Sequence, residues 1–203
     1  MKTILETVIG SRAYGLEREG SDWDRRSIYV LPTEDLLGLR EPELSRQNGE
    51  AIELIKFCRL AAAGSPNQIE YLYSKYAKAK CVRGDMLLKN RHWFLSKKMV
   101  PRYIGFLKGN LKRYEGNPKA QVQAFRLTVT CLNLLRTGSL DIQIQGEDLL
   151  TVVDKIRGGF SIVSLLENEW LPQIRELEQT SELPAEPNYD AINKMILFIR
   201  RLP

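Results

Sequence analysis

The chain has 203 residues, 43% of them hydrophobic and 27% charged, with a formal net charge of +5 at pH 7. That composition can bury one core or two small ones and excludes a disordered or fibrous chain, while the mildly basic balance leaves room for a polyanionic partner without requiring one. Cys58, Cys81 and Cys131 are too scattered for a disulfide framework or a metal knuckle, and with no apolar leader and no bilayer-length apolar run the expectation is a cytoplasmic protein with reduced thiols and no membrane partner.

Thr3 to Val8 mixes β-branched and apolar residues and runs into Gly10, which predicts a strand closed by a tight turn. Gly10 can take backbone angles closed to other residues and Ser11 offers a hydroxyl and an amide, so the turn can form a nest of N–H groups for phosphate oxygens. A short helix opening at Arg12 adds its dipole.

Asp22 and Asp24 follow. In an extended strand they share a face, with Trp23 pointing into the core, and two carboxylates so placed hold divalent ions. The competing reading is a turn in which Asp22 caps and Asp24 pairs with Arg25 or Arg26. Ile28 to Leu31 has strand propensity and ends at Pro32, which places the carboxylates at the start of a strand and folds a hairpin that brings Ser11 beside them.

From Glu50 to Ile55 the pattern is a strand leading into a helix at Lys56. Ile52 and Leu54 take one face, and Ala51, Glu53 and Ile55 the other; a shift of one residue exchanges Glu53 for Glu50, and either is also explicable as a solvated charge. Beyond this the spacing turns helical. Phe57, Leu60 and Ala61 form an inward face, then Ser65-Pro66 caps a helix that carries Ile69, Leu72 and Tyr73 inward, with Glu70 open to two readings, a surface residue on a short helix or a candidate that reaches the site.

Lys89 to Arg113 contains eight basic residues, Lys97 and Lys98 among them, and no acidic one, with Trp93, Phe94, Tyr103 and Phe106 interleaved. The uninterrupted charge suits an anion-binding face that tracks phosphates and stacks a base; the aromatics suit the buried side of an amphipathic helix. His92, the single histidine, has no partner visible in sequence and is given no catalytic role. A long helix is predicted over 120–136, with a seam of Val122, Phe125, Val129 and Leu132, a stop at Gly138, and Arg126 off the seam. Further helices end at Gly159, carry Leu165, Leu166, Trp170 and Ile174 across a break or kink at Pro172, and carry Ile192, Met195, Ile196 and Ile199 after Pro187-Asn188.

Gly10-Ser11, an eleven-residue step to Asp22, and Asp24 resemble the signature of the DNA polymerase beta-like nucleotidyltransferase superfamily. The fuller string Gly10-Ser11-Arg12-x-Tyr14-Gly15, then Ser21-Asp22-x-Asp24-x-Arg26, is similar to nucleotidyltransferases of the YcgL and RlaP type, the latter associated with RNA repair. Lys56-Phe57-x-Arg59-Leu60, Gly64-x-Pro66-Asn67 with Glu70, Phe94 to Lys98, Arg126-Leu127, Leu134-Leu135-x-Thr137-Gly138, Ile156-Arg157-x-Gly159 and Leu183-Pro184 continue it in order. Ser27 stands where that family usually has glycine, and Gln123 where many members carry histidine.

The resemblance implies an α+β fold: a small mixed-sheet, polymerase beta-like core over residues 1–80, followed by a C-terminal helical bundle over 81–203 that closes the cleft. It implies transfer of a nucleoside monophosphate from a nucleoside triphosphate to a hydroxyl, with an RNA 3′ end as acceptor. The alternatives are a protein-modifying (AMPylating) enzyme and a non-catalytic nucleotide- or RNA-binding module. By the same resemblance, Asp22, Asp24 and a third carboxylate hold Mg²⁺ or Mn²⁺; strand parity ranks Glu53 ahead of Glu50 for the third. Gly10, Ser11, Arg12, Tyr14, Lys97, Lys98 and Arg126 are the expected nucleotide and phosphate contacts, although Arg126 also fits an ion-pair role beside the helix seam.

Overall fold

The computed structural model describes residues 2–37, 50–113 and 116–202. They fall into two compact units, Met1–Phe94 with Pro187–Pro203, and Leu95–Glu186.

The first unit is built on a four-stranded mixed sheet of order β3-β2-β1-β4. Strand β1 (Lys2–Ile9) pairs antiparallel with β2 (Asp24–Val30) and with β4 (Lys78–Ala79), and β3 (Ala51–Glu53) lies parallel to β2. A register shift between Thr3 and Leu5 interrupts the β1 alternation, so that both Ile4 and Leu5 are fully buried. Between β1 and β2 the chain forms a one-turn helix α1 (Ser11–Tyr14); α2 (Thr33–Leu37) follows β2.

Helices α3 (Leu54–Ala62) and α4 (Pro66–Tyr73) bring Leu54, Phe57, Cys58, Ala61, Ile69 and Leu72 into the core with Ile28 and Tyr29 of β2. Leu60, expected inward, is instead partly exposed because the α3 turn gives Cys58 the interior position. Pro66 sits in the first turn of α4, where its missing N–H costs nothing, as the Ser65-Pro66 pair suggested.

Helix α5 (Val82–Lys89) lies so close to the sheet that a β-carbon on Gly84 would overlap the Ile4 carbonyl, and glycine is what permits the approach. Arg83 beside it is buried and donates to the carbonyls of Ile199 and Leu202, at the end of the last helix, α11 (Tyr189–Arg201). Those carbonyls have no partner within their own helix, so Arg83 closes the C-terminus of α11.

The second unit is helical: α6 (Met99–Arg113), α7 (Pro118–Thr137), α8 (Glu147–Arg157), α9 (Val163–Leu165) and α10 (Leu171–Thr180). Helix α7 runs as expected. Asn117 caps its first turn by accepting from Lys119 N–H, and Gly138 ends it with φ 68°, a left-handed angle that glycine takes without strain. Pro172 does not break the following run. It falls in the first turn of α10, and the irregularity is taken up by a π-helical turn, Leu166–Trp170, between α9 and α10. The core of this unit joins Met99, Tyr103 and Leu107 to Phe125, Cys131, Leu134, Val153, Ile156 and Ile174.

The fold is therefore α+β, a mixed sheet with its helices and further helices toward the C-terminus, consistent with a polymerase beta-like core. Among the described residues no helix is long and apolar enough to cross a membrane.

Candidate functional site

The β1–β2 hairpin sets the site. Ile9, the last residue of β1, pairs with Asp24, the first of β2, so the turn residue Gly10 arrives directly beside the Asp24 side chain. Gly10 has φ 78°, and a β-carbon there would overlap the Asp24 carboxylate. Both facts require glycine. Gly10 also accepts at its carbonyl from the N–H groups of Ala13 and Tyr14, which winds α1; the amides of Ser11 and Arg12, in its first turn, have no acceptor within the helix. They are the groups available to an anion at this edge of the sheet.

Asp22 is not on the strand but in the loop that precedes it, and a three-residue turn, Arg25 N–H donating to the Trp23 carbonyl at 2.9 Å, bends the backbone at Asp24. Trp23 does not enter the core as expected; it is 51% exposed. Arg12 accounts for its place. The guanidinium lies 4.3 Å from the Trp23 ring centre and donates to the Ser21 carbonyl from Nε at 3.1 Å and Nη2 at 2.7 Å. Arg12 thus grips the residues on both sides of Asp22. Tyr76 meets the same indole edge-on, with ring centres 5.6 Å apart. Asp22 and Asp24 are both exposed, and among the described residues neither carboxylate has an ion-pair or hydrogen-bond partner.

The structure does not bring Glu53 to the aspartates. Glu53 stands opposite Tyr29, five residues along β2 from Asp24, or about 16 Å at the usual strand rise. It caps α3 by accepting from Ile55 N–H at 2.6 Å and pairs with Arg200 at 3.3 Å, both side chains nearly buried. The helix starts at Leu54, two residues before the expected Lys56, and this makes Glu53 a capping residue. Their own burial raises the Tyr29 hydroxyl and the Cys58 thiol above their ordinary values, and the Glu53 charge adds to this at each. Glu50 lies one residue ahead of the β2–β3 ladder; its carbonyl accepts from Ser27 N–H at 2.8 Å, which sets it nearer the Asp24 end of β2.

Tyr14 is buried and donates to Glu70 Oε2 at 2.6 Å. Glu70, for which both a surface place and a reach to the site were open, is 1% exposed; Tyr14 in α1 is what draws it in. The next residue, Tyr71, has its hydroxyl raised by burial, and the neighbouring Arg26 guanidinium lowers it in part. Lys97, Lys98 and Arg126 belong to the second unit. There Lys98 pairs with Glu186 at 2.8 Å, Lys97 N–H donates to the Pro184 carbonyl, and Arg126, expected off the seam, is buried with Nε donating to Gln123 at 3.2 Å. Of the aromatics in the basic segment, Phe94 and Tyr103 are fully buried, as packing predicts, while Phe106 is 37% exposed. The side chains of Lys112 and Arg113 lie outside the described residues.

A cavity of about 360 Å³ opens on the first unit, walled by Val8, Trp23, Arg25, Arg26, Glu50, Tyr76 and Lys78 among others. The motif-based reading of the sequence passed over it, although its signal was present in the Trp-x-Arg-Arg sequence that continues from Asp22.

The RNA repair pathway DNA polymerase beta family (RlaP) matches residues 1–157, which include the hairpin and its aspartates. An uncharacterized 38.9 kDa protein of the nrdC-mobD intergenic region of Enterobacteria phage T4 is 25% identical, over 72% of this chain and 48% of its own. The chain thus spans about half the length of that relative. No solved structure matches. With most of its length matched, hairpin and aspartates included, the chain belongs to the RNA repair pathway DNA polymerase beta family, whose members are polymerase beta-like nucleotidyltransferases.

Proposed function

We propose that the protein transfers a nucleoside monophosphate from a nucleoside triphosphate to the terminal hydroxyl of an RNA, in the cytoplasm. The observation that supports this best is the Gly10–Asp24 contact: a glycine turn with open amides meets an unpaired carboxylate at one strand end. Anion donors and a metal-binding oxygen side by side suit a metal-bound triphosphate.

Among the described residues no group of three metal-ligating side chains converges. That fits Mg²⁺, which is commonly held by one or two carboxylates with substrate phosphates completing the shell. Asp22 and Asp24 would hold it, or Mn²⁺ in its place, and the ion would lower the pKa of the attacking hydroxyl and stabilise the leaving oxygen. The amides of Ser11 and Arg12 bind the β and γ phosphates. Arg12 itself positions the Asp22 loop through Ser21 and Trp23. Glu53 holds α11 through Arg200, so we assign the neighbouring acidic role to Glu50, which borders the cavity.

The test is incubation with each α-labelled triphosphate, Mg²⁺ or Mn²⁺, and RNA bearing either a free 3′ hydroxyl or a 3′ phosphate. Label on the hydroxyl form alone is the expected result. Label on added protein, or nucleotide binding with no label on any acceptor, would replace this reading with protein modification or with a non-catalytic module.

A further inference from the structure

We propose that the 360 Å³ cavity walled by Trp23, Arg25 and Lys78 receives the last nucleotide of a single-stranded RNA acceptor, with its base against Trp23. The inference rests on the nucleotide-transfer reading above and adds to it where the acceptor lies.

Direction comes first. In phosphoryl transfer the entering and leaving oxygens are roughly in line through phosphorus. The leaving pyrophosphate belongs with the amides after Gly10, and Asp24 faces Gly10. The acceptor hydroxyl therefore approaches from the side away from Gly10. Arg25 and Arg26 follow Asp24 directly and, with Val8, the ladder partner of Arg25, wall the cavity, which thus opens one residue along β2 from Asp24.

The chemistry of the walls matches a nucleotide. The volume suits a group of that size. Trp23 is half exposed and lines the cavity beside Tyr76, which meets its ring edge-on, whereas Arg12, which lies over that ring, is not a cavity residue. Base stacking on such a surface is sequence-tolerant and contributes about 1–3 kcal/mol per base. Arg25, Arg26 and Lys78 supply positive charge; of the two glutamates on the wall, Glu6 is already paired with Lys80 at 2.5 Å. A net cationic pocket with one stacking platform selects a phosphate-bearing aromatic group over an acidic peptide, which has nothing to stack.

In the step itself the RNA 3′ oxygen forms a bond to the α phosphorus, the bond from that phosphorus to the bridging oxygen breaks, and pyrophosphate leaves with its electron pair. The hydroxyl proton passes to the Glu50 carboxylate and from there to water.

The experiment measures fluorescence anisotropy of a 5′-labelled single-stranded RNA with the full chain, alongside calorimetric binding of each triphosphate with Mg²⁺. Trp23→Leu should weaken RNA binding about tenfold or more, Trp23→Tyr should restore most of it, and Lys78→Glu should weaken it with a shallower salt dependence and with triphosphate binding unchanged. Wild-type RNA affinity in Trp23→Leu and Lys78→Glu overturns the proposal, as does equal competition by polyglutamate. Triphosphate binding without RNA binding overturns it while leaving nucleotide chemistry standing. RNA binding lost as expected in a protein that transfers no label upholds the cavity and refutes the transfer reading. If Trp23→Leu does not fold, Lys78→Glu decides by the same criterion.

Discussion

Gly10 and Asp24 occupy one space: the Asp24 carboxylate fills the volume that a β-carbon on Gly10 would take. The hairpin register makes this contact, because Ile9 and Asp24 are ladder partners and Gly10 is the next residue out. A phosphate-binding turn and a metal-binding carboxylate are thereby one unit, set by the closing pair of a single hairpin.

Gly10→Ala should therefore disable the site twice. The methyl group displaces the carboxylate, and φ 78° strains any L side chain by about 1–2 kcal/mol. Nucleotide transfer should fall by at least a hundredfold while far-ultraviolet circular dichroism stays native. A Gly10→Ala protein with more than half of wild-type activity would show that the contact is incidental.

Arg12→Lys tests the grip on the Asp22 loop. Lysine keeps the charge but cannot make the paired donation to the Ser21 carbonyl while lying over Trp23. The expected result is a lower kcat with triphosphate affinity reduced less than threefold. A pure loss of triphosphate affinity would instead make Arg12 a direct phosphate ligand.

Glu53 and Glu50 should separate cleanly. Arg200 donates to Glu53, to the Leu31 carbonyl at 3.0 Å and to Thr33 Oγ1 at 3.2 Å, so it ties α11 to the end of β2. Arg200→Ala leaves a nearly buried carboxylate unpaired, at a cost of about 3–5 kcal/mol, and should lower Tm by roughly 10 °C. Glu50→Gln should leave Tm unchanged and cut transfer. Scanning calorimetry beside the transfer assay distinguishes them; Glu53→Gln abolishing transfer at unchanged Tm would return the third carboxylate to Glu53.

Much of this arrangement was legible in the sequence. Strand alternation broken by Gly10 and Pro32 located the hairpin, and Gly138 and Pro66 marked helix ends by local chemistry. What was not legible depended on partners far along the chain. Glu70 is buried by a tyrosine 56 residues away, and Glu53 is paired with an arginine 147 residues away. The exposure of Trp23 has a different cause. Placing it in the core assumed a continuous extended backbone through Asp24, and the turn from Trp23 to Arg25 breaks that period.

Stability should decline in alkali. Burial raises the Cys58 thiol, pushes Cys131 up to about 12 with a smaller contribution from Glu178, and pushes Tyr73 up to about 12 against the opposing Arg91 charge. The unfolded chain releases these protons first, from ordinary values of 9.0 and 10.0. Stability is thus complete below about pH 9 and is lost progressively as pH rises toward about 12. The urea midpoint should fall steadily from pH 9 to 11, and at pH 8 a thiol reagent should titrate half-buried Cys81 while Cys58 and Cys131 stay protected. A flat midpoint, or three thiols reacting at once, would contradict this packing.

The most direct measurement is incorporation of α-labelled nucleotide onto RNA by wild type, Asp22→Asn and Asp24→Asn at equal concentration, with thermal unfolding recorded on the same samples. Asparagine keeps the shape and removes the metal-binding charge. The account predicts label on the RNA 3′ end with wild type, at least a thousandfold less with either variant, and superimposable unfolding curves. Undiminished labelling by Asp24→Asn, or loss of labelling that tracks loss of folding, would contradict it.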